Sequence, residues 1–394
     1  MKRLAALIAA ALMAMTGVAS AQSLPIGPAA GFTSGDEVEY VGFVPFEVGS
    51  ATGVTIKGKY MYLTSWKNLS IYDISDPTSP QRLGSLPIGF QFENEDVQIT
   101  PDGRYLFFAE SLPGNTLHIY DVEDKTAPTE VATLDGAGDH TTTCILKCKY
   151  LYGSDGSIVD VRDPLKPKLL AANNGPSEDM WTTKATGQNF SNHDVTEVRN
   201  GFILTAPISG PFHYMDVRDP LNPKVLALGI KEAEEGWLFH SGRWPNGGKD
   251  NFILMQGELN AQTRCDDVTG PFQTYDARNW TKTKSFKLID TYRVTNGVYA
   301  DGSPAANGLG CSAHWFQEHG SFKNGGLVVM GYYEHGSRFF SVDKNGKITE
   351  QGWFLPNGGS TSAAYWASDG KNEKIAYAVD YTRGIDILRW NGKL

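Results

Sequence analysis

The chain has 394 residues, with 44 acidic against 35 basic side chains and a formal net charge of -9. An acidic chain without basic clusters excludes nucleic acid as the partner class. Its 43 glycines, its 11% of aromatic residues and the scarcity of long helical patterns favour strands and turns.

At the start, Lys2 and Arg3 precede the apolar run "LAALIAAALMAMTGVA", which ends in Ala19-Ser20-Ala21. A positive end, a short hydrophobic stretch and a small-residue cut site predict a secretory signal over residues 1–21. The remainder, 22–394, is then one exported domain, periplasmic or secreted, with a net charge of -11. No later stretch offers roughly 18 uninterrupted apolar residues, so no membrane span is predicted.

Past the signal, "DEVEYVGFVPF" from Asp36 has the pattern of an outer strand. A unit then recurs: a strand ending in aspartate, a turn and another strand. It reads "YDISDPTSPQRLGSL" from Tyr72, "YDVEDKTAPTEVATL" from Tyr120, "VDVRDPLKPKLLA" from Val159 and "MDVRDPLNPKVLAL" from Met215. Weaker copies begin at Tyr275, Ser341 and Gly384. Alternating β-branched and aromatic residues predict strands with one buried face. Asp-Pro sets the turn, because proline fixes φ and the aspartate side chain bonds the following backbone.

Each copy holds four short strands; in the first they are "TGVTI", "YMYLTS", "LSIYDI" and "QRLGSLP". Such a sheet cannot bury its faces alone, and radial stacking around an axis solves that. Seven markers predict an all-β, seven-bladed β-propeller. The last copy lacks an outer strand, so the segment from Asp36 is expected to complete it and close the ring.

"LSIYDISDPTSPQRLGSL", "SIVDVRDPLKPKLL" and "HYMDVRDPLNPKVL" resemble the repeats of the LVIVD family of extracellular β-propeller proteins. The resemblance covers the first four copies well and the last three only by strand register. It implies fold and export more than chemistry.

Aligned on the innermost strand, the copies place Thr52, Glu95, His140, His193, His240, His314 and Ser362 at one register. Four of the eight histidines therefore fall where a propeller would aim them at a common axis. Four unpaired imidazoles in a channel each lose hydration, and protonated together they repel. One divalent transition metal (Fe, Cu, Zn or Mn) resolves both problems, with His140, His193, His240 and His314 as ligands, or three of them with one bystander. Each histidine could instead bond a neighbouring blade's backbone. Glu95 is placed to be a fifth ligand, an acceptor for an imidazole N–H, or a base. In plan the ring is similar to the axial metal sites of carotenoid-cleaving oxygenases and of selenium-binding methanethiol oxidases; that is a likeness of architecture.

The fifth and sixth copies carry the longest insertions, where binding groups accumulate on a rigid scaffold. Arg243, Trp244, Arg264 and Trp315 are candidate binding residues for a small-molecule or glycan ligand, offering flat faces and guanidinium groups. Glu258 and Tyr333 stand in the same insertions, and His335 and Arg338, beyond a second-strand run, are expected to be structural. His319 is a candidate acid or base. It lies five positions after His314, so it shares that cavity only where the strand ends or bulges. Trp353 and Trp366 are expected to pack between blades.

Cys144 is expected to pair with Cys148 across one hairpin, and Cys265 with Cys311 between two loops. No nucleophile elbow, dinucleotide fingerprint or P-loop is present. The reading is thus an exported, monomeric metal-dependent enzyme of unassigned substrate. Its alternatives are a non-catalytic binding scaffold and a polysaccharide lyase or hydrolase.

Overall fold

A computed structural model describes residues 27–45, 51–65, 68–88, 95–110, 115–137, 140–172, 192–208, 210–230, 238–258, 270–295, 297–306, 308–381 and 383–394. Among them the chain is all β apart from two short helical turns, Pro245–Gly248 and Trp280–Thr283. The strands form antiparallel meanders of four. Three stand as separate sheets, over 51–87, 98–135 and 142–171. The next two, over 192–229 and 238–292, are joined into one sheet by a parallel bridge between Leu228–Gly229 and Ser285–Phe286. The meander over 316–356 gains Phe32–Ser34 as a fifth strand. The last, over 361–390, takes Val38–Pro45 as its fourth, paired along Gly384–Trp390 as the sequence predicts.

Each repeat marker has a local cause. Asp73, Asp160, Asp216 and Asp276 end a strand and accept the backbone N–H two residues on, at 2.8–3.1 Å. In the last three, an arginine at that second position also binds the carboxylate, as Arg162, Arg218 and Arg278. A further aspartate then closes a tight turn, as Ser79 N–H to the Asp76 carbonyl (3.0 Å) or Lys166 N–H to that of Asp163 (2.9 Å).

One expectation needs correction. The middle strands do not have a single buried face: Met61–Ser65 is buried throughout, whereas the outer strand Gln81–Pro87 is largely exposed. The reason is that meanders stack on both sides. Val97, Leu106 and Tyr120 pack on Tyr62, Leu69 and Ile71 of the meander before. The opposite face of the first meander, through Met61, Leu63 and Tyr72, packs on Tyr377, Ile385 and Ile387 of the last. Trp366 is buried between the last two meanders, as expected, but Trp353 is 37% exposed.

The Cys144–Cys148 disulfide is present. It spans the tip of the hairpin from Thr142–Ile145 to Tyr150–Gly153, where Leu146, Lys147 and Cys148 all take positive φ. Cys311 is disulfide-bonded, and Cys265 lies outside the described residues.

Candidate metal centre

The leading strands of successive meanders converge, and five of them carry a defect at the same place. Asn192 pairs with Pro207 and Asp194 with Ala206, which leaves His193 as an extra residue. His240 is likewise extra between Phe239 and Ser241, Ser362 between Thr361 and Ala363, and Thr52 between Ala51 and Gly53. At His314 the count is also two against one: its N–H donates to the Gly331 carbonyl (2.8 Å), and Gly331 N–H donates to the carbonyl of Trp315 (3.1 Å). A bulge bends its strand and re-aims the extra side chain. Here it turns His193, His240 and His314 out of the stacked faces and into one common space, which His140 enters from just before its strand.

Glu95 stands in the middle of that space, 4% exposed. Its Oε2 lies 3.2 Å from His240 Nε2, 3.4 Å from His140 Nε2 and 3.6 Å from His193 Nε2. Its Oε1 lies 3.2 Å from His314 Nε2. Trp315 Nε1–H donates to Oε2 (3.1 Å) and the Tyr381 hydroxyl to Oε1 (3.0 Å), so both carboxylate oxygens are fixed. Successive imidazoles lie side by side, with centroids 4.8, 3.9 and 4.2 Å apart from His140 to His314.

Backbone carbonyls select the tautomers. His193 Nδ1–H donates to the His240 carbonyl (3.1 Å), and His314 Nδ1–H to the Ser362 carbonyl (2.5 Å). A neutral imidazole whose Nδ1 carries the proton presents a lone pair at Nε2. In both residues that lone pair faces a carboxylate oxygen, and His314 Nε2 has no hydrogen-bond partner among the described residues.

The charges follow from burial and crowding. Burial works to raise the Glu95 carboxyl, but the His314 and His140 charges, with hydrogen bonds from His140 and His240, hold it well below the usual carboxylate range. Burial, then His240 and His140, push His193 well below its ordinary value. Burial and His314 lower His240. His314 moves up, because Glu95 and Glu258 outweigh its burial.

The donor set fits a metal ion. Ligands bound at 2.0–2.2 Å in a tetrahedral arrangement lie roughly 3.3–3.6 Å from one another. The nitrogen-to-carboxylate separations have that length. Glu95 with His240 and His314, Glu95 with His140 and His193, and Glu258 with His193 and His240 each bring their ligand atoms within 4.8 Å of one another.

The structure brings together Glu95, all four histidines and Trp315. Trp315 faces Glu95 and packs against His240 (centroids 4.9 Å apart), so it shapes the centre as well as any ligand space. Trp244 is not beside the ring; it packs between two meanders and donates to the Asp250 carbonyl (2.9 Å). Arg243, three residues after His240, pairs with Glu318 at 3.6 Å and borders a separate cavity of about 140 Å³. His319 borders that cavity too. Its Nδ1 meets the Ser321 hydroxyl (2.7 Å) and its Nε2 the Glu373 carbonyl (2.8 Å). Arg264 lies outside the described residues.

Three further neighbours complete the surroundings, of which Glu258 and Tyr333 stand in the insertions named above and Tyr381 carries no sequence signal. Glu258 Oε1 lies 4.0 Å from His314 Nε2 and accepts the Tyr333 hydroxyl. Tyr333 covers His314 at 4.6 Å between centroids, with φ at +43°. Tyr381 completes the wall. A buried tyrosine held at positive φ is the one local oddity that points to them, and only coordinates reveal it.

Residues 48–86 match the LVIVD repeat. That span holds the first copy of the repeated unit. The β-propeller domain of Cps50 (Swd1) from Myceliophteria thermophila has a similar structure, with a TM-score of 0.57, 10% identity, and coverage of 89% of this chain and 99% of that one. The chain has a β-propeller fold and carries an LVIVD repeat over residues 48–86. A functionally unknown protein from Desulfotomaculum acetoxidans is also similar, with a TM-score of 0.50, 12% identity, and coverage of 76% and 84%. No curated protein matches the sequence. At these identities the likeness speaks for the fold alone.

Proposed function

We propose that this LVIVD-repeat propeller is an exported metalloenzyme with seven blades, whose transition-metal centre is held by His140, His193, His240, His314 and Glu95. One observation carries the reading: four imidazole Nε2 atoms, two of them (His193 and His314) turned by backbone carbonyls, face one buried carboxylate at 3.2–3.6 Å. Where Nδ1 carries the proton, as in His193 and His314, lone pair faces lone pair, and a divalent cation between nitrogen and carboxylate converts that repulsion to attraction. Four protons would instead gather cations where burial already disfavours them.

A divalent ion in this donor set supplies Lewis-acid or redox chemistry. The chain's own groups do the rest. Trp315 and Tyr381 hold Glu95 in place. Glu258 and the Tyr333 hydroxyl form a second carboxylate–phenol pair beside His314. His240 and His314 are sealed, while the His140 side chain is 31% exposed, so a ligand approaches from the His140 side.

Seven blades and a closed ring are supported by the four-stranded meanders and by the packing of the last on the first. Export is supported by the N-terminal pattern and the Cys144–Cys148 disulfide, which suits an oxidising compartment. N-terminal sequencing of the mature protein is expected to begin at Gln22.

The test of the centre is elemental analysis of natively purified protein, repeated after His240→Ala and His314→Ala with far-UV circular dichroism to check folding. Close to one equivalent of Fe, Cu, Zn or Mn in the wild type, and its loss in folded variants, is expected. A wild type free of transition metal even after reconstitution, or folded variants that keep it, would overturn the reading.

A further inference from the structure

Asp96 follows Glu95, and Asp194 follows His193, so two more carboxylates stand one residue along from the histidine ring. Thr143 Oγ1 donates to Asp96 Oδ2 (2.8 Å) and also contacts the Val195 carbonyl, which ties Asp96 to the strand that bears Asp194. Gln98 Nε2 donates to the other Asp96 oxygen. Thr196 Oγ1 donates to Asp194 Oδ2 (2.9 Å). Asp194 Oδ1 has no hydrogen-bond partner among the described residues, although the residue is only 2% exposed.

The Asp96 and Asp194 carboxyl groups lie close enough to repel each other when both are ionised. The cation near them is Arg243, but its ion pair is with Glu318 at 3.6 Å. Among the described residues neither aspartate has an ion-pair partner. Buried charges are paired or coordinate metals, and an unpartnered carboxylate oxygen beside a second carboxylate is the arrangement that a cation relieves.

The donors here differ in kind from those of the ring. They are two carboxylates, the Thr143 and Thr196 hydroxyls and the Val195 carbonyl, with no nitrogen or sulfur. Hard oxygen donors select calcium or magnesium over transition metals. An irregular set of mixed oxygens suits calcium, which tolerates flexible geometry, better than magnesium, which demands a near-ideal octahedron.

We propose that Asp96 and Asp194, with the Thr143 hydroxyl, bind a calcium ion beside the histidine centre and tie the second, third and fourth meanders together. The site does not depend on the transition metal. Calcium is counted separately from Fe, Cu, Zn and Mn, so either site can fail while the other stands.

The experiment uses the mature chain stripped with a chelator, then titrated with calcium chloride by calorimetry and followed by thermal melting. Binding of about one calcium per chain, with a dissociation constant at or below about 1 mM and a raised Tm, is expected. Asp194→Asn and Asp96→Asn should each weaken calcium at least about tenfold and leave the transition-metal content unchanged. Absence of calcium binding and of any melting shift in the wild type up to about 10 mM, well above the range for extracellular sites, overturns the proposal. So does wild-type calcium affinity in folded Asp194→Asn. Should neither variant fold, the wild-type titration decides alone.

Discussion

His314 donates its Nδ1–H to the carbonyl of Ser362, 2.5 Å away on the following meander, and so turns Nε2 toward Glu95 at 3.2 Å. The acceptor is the extra residue of its own bulge, so one irregularity orients the side chain that another delivers. His193 repeats the device on the His240 carbonyl. The Thr141 hydroxyl does the same to the carbonyl of His193 at 2.6 Å.

Glu95→Gln keeps the shape of the side chain and removes its charge. A bound divalent cation then loses its one anionic partner in the ring. Transition-metal affinity should fall at least about tenfold, as measured by competition with a chromophoric chelator. Unchanged affinity would mean that Glu95 is not part of the centre.

His319→Ala should leave the metal content untouched, because both ring nitrogens are spent on Ser321 and Glu373. The cost should be in stability, about 1–3 kcal/mol by urea denaturation, from the lost bonds and the vacated contact with Trp366. Metal loss at unchanged stability would return His319 to the centre.

Acid should destabilise the fold through two buried histidines. His213 is lowered to about 4 by burial, and His335 to about 4 by burial and the Arg338 charge. An unfolded imidazole titrates near 6.5. Below that pH the unfolded chain takes up protons that the folded one refuses. Stability is therefore intact above about 6.5 and falls progressively toward pH 4, by up to about 3 kcal/mol per group. Urea midpoints across that range check it, and His213→Gln should flatten the slope.

A chain lacking residues 38–45 should self-associate. Val38–Pro45 covers Gly384–Trp390, and Arg389 clamps Glu39 at 2.9 Å. Removal bares an apolar edge strand, which recruits another strand. Light scattering should show dimers or larger species; a stable monomer with the parent Tm would mean that the strand is dispensable.

Much of this was legible beforehand, and the exceptions have physical reasons. The aspartate markers recur because each serves the same turn, so the repeats and the N-terminal strand could be placed by counting. The ring register survived the long insertions because histidine is rare enough to act as its own marker. The bulges were not legible. Strict alternation treats every residue as paired, and nothing in "NHDVTEV" or "LFHSGR" shows which one is surplus. Trp244 reads as a binding residue because it adjoins His240 and Arg243 in an insertion, yet its indole N–H closes the local turn on Asp250. Glu258, Tyr333 and Tyr381 reach His314 or Glu95 from distant parts of the chain, a relation that spacing does not encode.

The bulges also separate chemistry from architecture. A surplus residue takes no part in matching one strand to the next, so its identity can change while the ladder around it stays in step. The coordination sphere is in that sense interchangeable hardware on a fixed chassis. Ser362, surplus like the histidines, 0% exposed and with its hydroxyl unpartnered among the described residues, is where a further donor could be fitted without rebuilding a blade.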